Sequence, residues 1–190
     1  MPDVLQEALS LAVELHRGTD RDGDVPLPYA CHVVEVVANL RLIGQVTDLD
    51  VLTAAFLHDT VEDTGLTLVG VAARFGPRVA QIVGEVTREE PSSELTTGMS
   101  KDEVWRLRHD LFEVEIQAMS DDAKRIKLAD RLSNLKESNL TRKGEKVHRY
   151  RWQSQRILGL INRDVNPPLW DALEAEILAN PIPNTSKWAE

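Results

Sequence analysis

The eleven residues from Ala54 to Thr64, AAFLHDTVEDT, constrain this chain more than any other stretch. Apolar and small residues lead into His58-Asp59, and Glu62-Asp63 follow one helical turn later. Residues four apart share a helix face, so the pattern predicts His58 beside Glu62 and Asp59 beside Asp63. An imidazole and three carboxylates in one patch repel one another unless bound protons or a cation relieve them. A divalent metal relieves them best, and mixed nitrogen and oxygen ligands suit a moderately hard ion. Taken by itself, the stretch also reads as a solvated acidic helix end behind a core histidine.

Two distant segments shift the balance. Upstream, Pro28-Tyr29-Ala30-Cys31-His32-Val33 opens an apolar run and offers a second imidazole. Downstream, KLADRLSNL places Asp130 and Asn134 four apart, with Asp130 among Ile126, Leu128, Ala129 and Leu132. An unpaired carboxylate in such apolar company is costly, and a metal would justify it. The order H…HD…D resembles the HD-domain superfamily of metal-dependent phosphohydrolases. HDTVEDT followed by KLADRLSNL is similar to the hydrolase domain of RelA/SpoT-type alarmone enzymes, and the resemblance runs from about Leu5 to Leu160.

That resemblance implies an all-α fold, a compact orthogonal helical bundle of the HD-domain type. It implies His32, His58, Asp59 and Asp130 as metal ligands, and manganese as the ion. Ligand chemistry alone also admits iron, cobalt or zinc. Glu62 and Asp63 match the acidic pair of alarmone hydrolases, and beside a metal such carboxylates orient water or take its proton. Asn134 matches a residue that faces metal and substrate. Arg21 falls where the family places a basic residue over the nucleotide, and Lys146 and Tyr150 resemble its basic–aromatic substrate cluster. Two positions depart from the family: Val33 stands where Pro usually follows the histidine, and Asp22 stands where Lys is usual. The implied reaction is removal of the 3′-pyrophosphate from ppGpp or pppGpp. The alternatives are an NADPH 2′-phosphatase or another nucleotide phosphohydrolase, and a ligand-sensing domain without turnover.

At 190 residues the chain is expected to be one domain, with its core over residues 5–160 and a C-terminal helix and tail over 166–190. A net charge of −9 argues against a general nucleic-acid binder and requires a local basic pocket for an anionic substrate. The single Cys31 makes no intrachain disulfide, no apolar run approaches the ~18 residues of a membrane span, and the N-terminus lacks a signal-peptide pattern. A cytoplasmic protein with a small nucleotide as its partner is the expectation; the oligomeric state is not legible.

Periodicity predicts helices over residues 3–16, from Pro28 to Gly44, behind an Asp48 or Asp50 cap through His58, over 67–75, and over 78–88. Asp20, Asp22 and Asp24 suggest a calcium loop, but Val25 stands where an EF-hand needs Gly and no Glu follows at the twelfth place. Residues 90–99 read as a loop. A capping box at Ser100 opens a helix to about Met119, and Ser120 or Asp121 opens the helix bearing Asp130. Helices over 145–162 and from Asn166-Pro167 to Asn180 follow, with a frayed tail.

Overall fold

The computed structural model describes residues 3–21, 27–88 and 90–189. Its helices are α1 (Asp3–Leu15), α2 (Ala30–Ala38), α3 (Leu49–Leu57), α4 (Thr60–Asp63), α5 (Leu68–Phe75), α6 (Pro77–Val86), α7 (Ser93–Thr96), α8 (Lys101–Ala118), α9 (Asp121–Thr141), α10 (Glu145–Leu160) and α11 (Pro167–Ala179). A π-helical turn, Asn39–Ile43, extends α2, and a 3₁₀ turn, Arg163–Val165, precedes α11. Among the described residues there is no strand, only an isolated bridge between Asp20 and Pro28. No helix among them is long and apolar enough to cross a membrane.

The helix starts follow from side-chain capping. Asp48 accepts the Asp50 and Val51 N–H groups at α3, Thr67 caps α5, and Asn166 caps α11 ahead of Pro167. At α8 Ser100 and Glu103 close the reciprocal capping box, and Ser120 caps α9. Each cap satisfies a backbone donor that the first turn leaves without an intrahelical partner.

Helices α3 and α9 form the centre. Residues 51–57 of α3 are buried in sequence, so beyond its first two residues the helix has no solvent face. The middle of α9 is buried on all sides as well, between α2, α6, α10 and α11. That burial includes Lys127, Asp130, Arg131 and Ser133, and polar groups so placed must find partners. Gly44 lets α11 close on this core. A Cβ there would stand 2.7 Å from Leu169 Cδ1 and 2.9 Å from the Leu40 carbonyl oxygen, and the Asn166 amide donates to the Gly44 carbonyl at 2.9 Å.

Three expectations need correction. Pro28 is not in the first turn of α2: its segment pairs back on Asp20, the Tyr29 N–H donates to the Thr19 carbonyl, and the helix starts at Ala30. The helix carrying His58 does not run on to Asp63. It ends at His58, and Asp59, at φ −101° and ψ −7°, opens the separate turn α4. The tail does not fray either. Trp188 packs on Trp105 at 4.9 Å and Trp152 at 5.3 Å, and Ser186 donates to Glu145 at 3.0 Å. Large aromatic surface explains that docking, and composition around Pro181 and Pro183 conceals it.

Candidate active site

The end of α3 presents His58, which is fully buried. Its Nδ1 lies 2.8 Å from the Ala55 carbonyl, which can only accept, so Nδ1 carries the proton and Nε2 the lone pair. The first turn of α2 presents His32 in the same state by a longer route. Ser133 Oγ donates to Glu35 at 2.8 Å and therefore accepts from His32 Nδ1 at 3.0 Å. Both lone pairs enter one space, with the rings 5.3 Å apart at 64°.

Two carboxylates face them. Asp130 Oδ1 from α9 lies 3.2 Å from His32 Nε2 and 3.9 Å from His58 Nε2. Asp59 Oδ2, at the α3–α4 break, lies 2.9 Å from His58 Nε2 and 3.7 Å from His32 Nε2. Ligands about 2.1 Å from one cation stand roughly 3.0–3.4 Å apart, so this set fits a divalent ion. The break after His58 makes the fit: it turns Asp59 onto the imidazoles instead of onto the next helical face. His32, His58 and Asp59 alone already form a group able to hold a metal.

Charge in this cluster is strongly coupled. Burial opposes protonation of His58, but Asp59 and Asp130 outweigh it and push its pKa up to about 9. Burial also disfavours the Asp130 carboxylate, and Lys127 with the histidines overcomes it, holding the group well below the usual carboxylate range. A proton and a metal compete for these Nε2 lone pairs, since a ligating imidazole is neutral. Outside the cluster, Tyr29 OH donates to Asp59, and Asn134 Nδ2 donates to Asp130 Oδ1 at 2.5 Å.

Glu62 and Asp63 sit at the mouth. Glu62 accepts the Arg88 N–H at 3.1 Å, so it does not stack on His58 as continuous helix would require. Asp63 Oδ2 stands 3.9 Å from His16 Nε2. Burial raises the pKa of both carboxyl groups, Asp59 adding to the effect. Arg88, Lys127, Arg131 and Arg149 line the same cleft, of about 280 Å³, with Trp105, Phe112 and Tyr150 as apolar walls. This is the local basic surface that a chain of charge −9 needs for an anion.

Of the residues expected at the substrate, Asn134 and Tyr150 line the cleft. Arg21 reaches it indirectly, donating to Asn134 Oδ1 at 2.8 Å and pairing with Glu137, so it fixes the amide that holds Asp130. Lys146 does not line the cleft but an adjoining cavity. Asp22 lies outside the described residues. Several contributors escaped the sequence reading. Lys127 was legible three residues before Asp130 on one helix. Tyr29 lay inside the quoted PYACH segment. Arg88, two residues past the end of α6, and Arg149, on α10, come from distant segments, and no local pattern marks them. His16, buried and with no hydrogen bond at Nε2, carried no signal either.

Comparison with known proteins shows the family. The HD-domain family profile matches residues 8–163. The chain is 34% identical over 178 residues to the Danio rerio guanosine-3′,5′-bis(diphosphate) 3′-pyrophosphohydrolase MESH1, covering 90% of this chain and 91% of that one. It is 35% identical over 175 residues to the Homo sapiens protein of the same name, covering 90% of each. A solved structure described as a metazoan ortholog of SpoT that hydrolyzes ppGpp superimposes with a TM-score of 0.83 at 29% identity, over 96% of this chain and 98% of that one. A Listeria monocytogenes structure, lmo0812, gives a TM-score of 0.62 at 26% identity, over 80% and 96%. With its two imidazoles and two aspartates converging from α2, α3, the α3–α4 break and α9, this chain belongs to the HD-domain family.

Proposed function

We propose that this chain is a manganese-dependent hydrolase of the 3′-pyrophosphate of ppGpp and pppGpp, acting as a single domain over residues 1–190 in the cytoplasm. HD-domain hydrolases are metal-dependent, and the His/Asp cluster here has the donor set for it. The observation that carries the reading is the convergence of two Nε2 lone pairs, each fixed from behind through Nδ1, on two carboxylates. His32, His58, Asp59 and Asp130 hold the ion.

When bound, manganese polarises a phosphoryl oxygen and acidifies water. Glu62 and Asp63 orient the attacking water and accept its proton, a role suited to carboxyl groups raised by burial. Lys127, Arg131 and Arg149 line the same cleft and neutralise the departing pyrophosphate. Asn134 bridges Arg21 to Asp130, so Arg21 acts as a positioning residue. Tyr150, with Arg142 4.4 Å over its ring, forms the nucleoside-facing wall.

The test is side-by-side turnover of ppGpp, pppGpp and NADPH by metal-stripped protein reloaded with manganese, zinc or magnesium. Pyrophosphate release from the alarmones, restored best by manganese, is expected. Faster phosphate release from NADPH would transfer the assignment to a 2′-phosphatase. Turnover by the stripped protein would end the metal reading.

A further inference from the structure

The metal-end cleft, at about 280 Å³, is at the small end of ligand sites, which run from roughly 300 to 1,000 Å³. A nucleoside with phosphate chains at both the 3′ and 5′ positions needs more room. A second cavity, of about 320 Å³, adjoins the cleft and shares Trp105 and Arg149 with it. The C-terminal tail builds its far side, supplying Lys187 and Trp188.

The chemistry of this cavity opposes that of the molecule. Arg106, Lys146, Arg149 and Lys187 line it in a chain of net charge −9. Its two carboxylates are already engaged. Glu145 accepts from Ser186 at 3.0 Å, and Asp102 faces Lys187 at 3.7 Å. That second pair is loose, with side chains 57% and 83% exposed, so a phosphate can take over Lys187 at little cost. Arg149 lies 5.3 Å over Trp105, and Trp188 meets the same ring edge-on, which fixes the wall between the two cavities.

Resting on the hydrolase reading above, we propose that the C-terminal tail is part of the substrate site. Lys187, with Arg106, Lys146 and Arg149, holds the 5′-phosphates of a nucleotide whose 3′-pyrophosphate lies at the metal centre. Trp105 and Trp188 wall the passage between them. The bonding is charge-assisted and non-covalent, and it selects for the phosphorylated 5′ end.

The experiment compares kcat/KM for ppGpp and for guanosine 3′-diphosphate with a free 5′-hydroxyl, using the full chain and manganese. Wild type is expected to prefer ppGpp. Lys187→Ala and Arg106→Ala, both at exposed positions that leave the core intact, should each reduce that preference about tenfold, the worth of a hydrogen bond to a charged group. A preference within twofold of wild type in both variants overturns the subsite. If wild type turns over neither substrate, the hydrolase reading falls, and the subsite is judged by GDP binding through tryptophan fluorescence. Weaker GDP binding in the two variants then supports it, and no binding to wild type overturns it.

Discussion

The two walls of the cleft are built on different physical terms. The metal wall comes from α2, the end of α3 and the middle of α9, where His32, His58 and Asp130 are nearly or fully buried and each has a fixed partner behind it. The other wall comes from α8 and α10, backed by the tail in the adjoining cavity, and its Trp105, Arg149 and Tyr150 are only partly covered. Groups fixed in the core hold geometry to fractions of an ångström, which metal ligation demands. Long cationic side chains at a surface adapt to phosphate, giving affinity and selectivity. Changes on the first wall should therefore abolish chemistry, and changes on the second should alter KM.

The sharpest way to break this contrast is Asp59→Ala. It removes a proposed ligand and leaves His58 without its nearest carboxylate, 2.9 Å away. Metal should be lost and turnover should fall by more than about 10³-fold, beyond the 10–100-fold of a supporting residue. Elemental analysis and kcat measured together decide it; activity with metal retained would remove Asp59 from the ligand set. Glu62→Gln and Asp63→Asn come next. They keep shape but not basicity, so kcat should fall by about 10²–10⁴ with metal retained. Metal loss in both would make the pair coordinating instead.

Ser133→Ala sharpens the contrast from behind. It leaves every ligand in place but cuts the Glu35–Ser133–His32 chain, freeing the ring to rotate. Manganese affinity should weaken by about 10–100-fold, with near-normal kcat at saturating metal. Unchanged affinity by titration calorimetry would show that packing alone orients His32.

The same contrast governs what the sequence disclosed. The metal wall was legible because its parts sit in short helical windows: HD at the end of α3, and Asp130 with Asn134 one turn apart. Helix boundaries set by caps were legible too, since Asp48, Ser100, Ser120 and Asn166 each act through a backbone donor within three residues. The break at Asp59 was not, because His58-Asp59-Thr60 carries neither Gly nor Pro. There the Thr60 hydroxyl donates to the Leu57 carbonyl at 2.6 Å. The far wall was least legible. Trp105, Arg149 and Trp188 meet only through long-range packing, and no spacing encodes that.

On the far wall, Arg149→Ala should raise the KM for ppGpp about tenfold with a smaller change in kcat, as expected when a charge binds ground and transition states alike. High salt should shrink the difference. A loss confined to kcat would place Arg149 in the chemistry and blur the distinction between the walls.

The smallest effect expected belongs to the packing beneath that wall. His109 is buried at 12° to the Trp105 ring, which lies 5.6 Å away, and Trp152 closes at 4.7 Å. Burial is the main cause that lowers its pKa below 6.5, and Arg156 assists; Glu113, 3.0 Å from Nε2, pulls the other way but is held by Arg156 at 2.6 Å. The folded group thus resists a proton that the unfolded chain accepts. Between the depressed folded pKa and 6.5 the unfolded state binds more protons, so stability present above 6.5 is lost as pH falls through that window. His109→Gln should flatten this slope. Urea midpoints of both proteins from pH 7.5 to 5.5 provide the check, and taking their difference cancels the titration of the metal-site histidines. Parallel midpoints would mean that His109 takes up its proton as readily in the folded protein as in the unfolded chain, Glu113 offsetting the cost of burial. Below pH 6.5 the aromatic wall would then rest on an ion pair, and salt should loosen it there while leaving the metal wall unmoved.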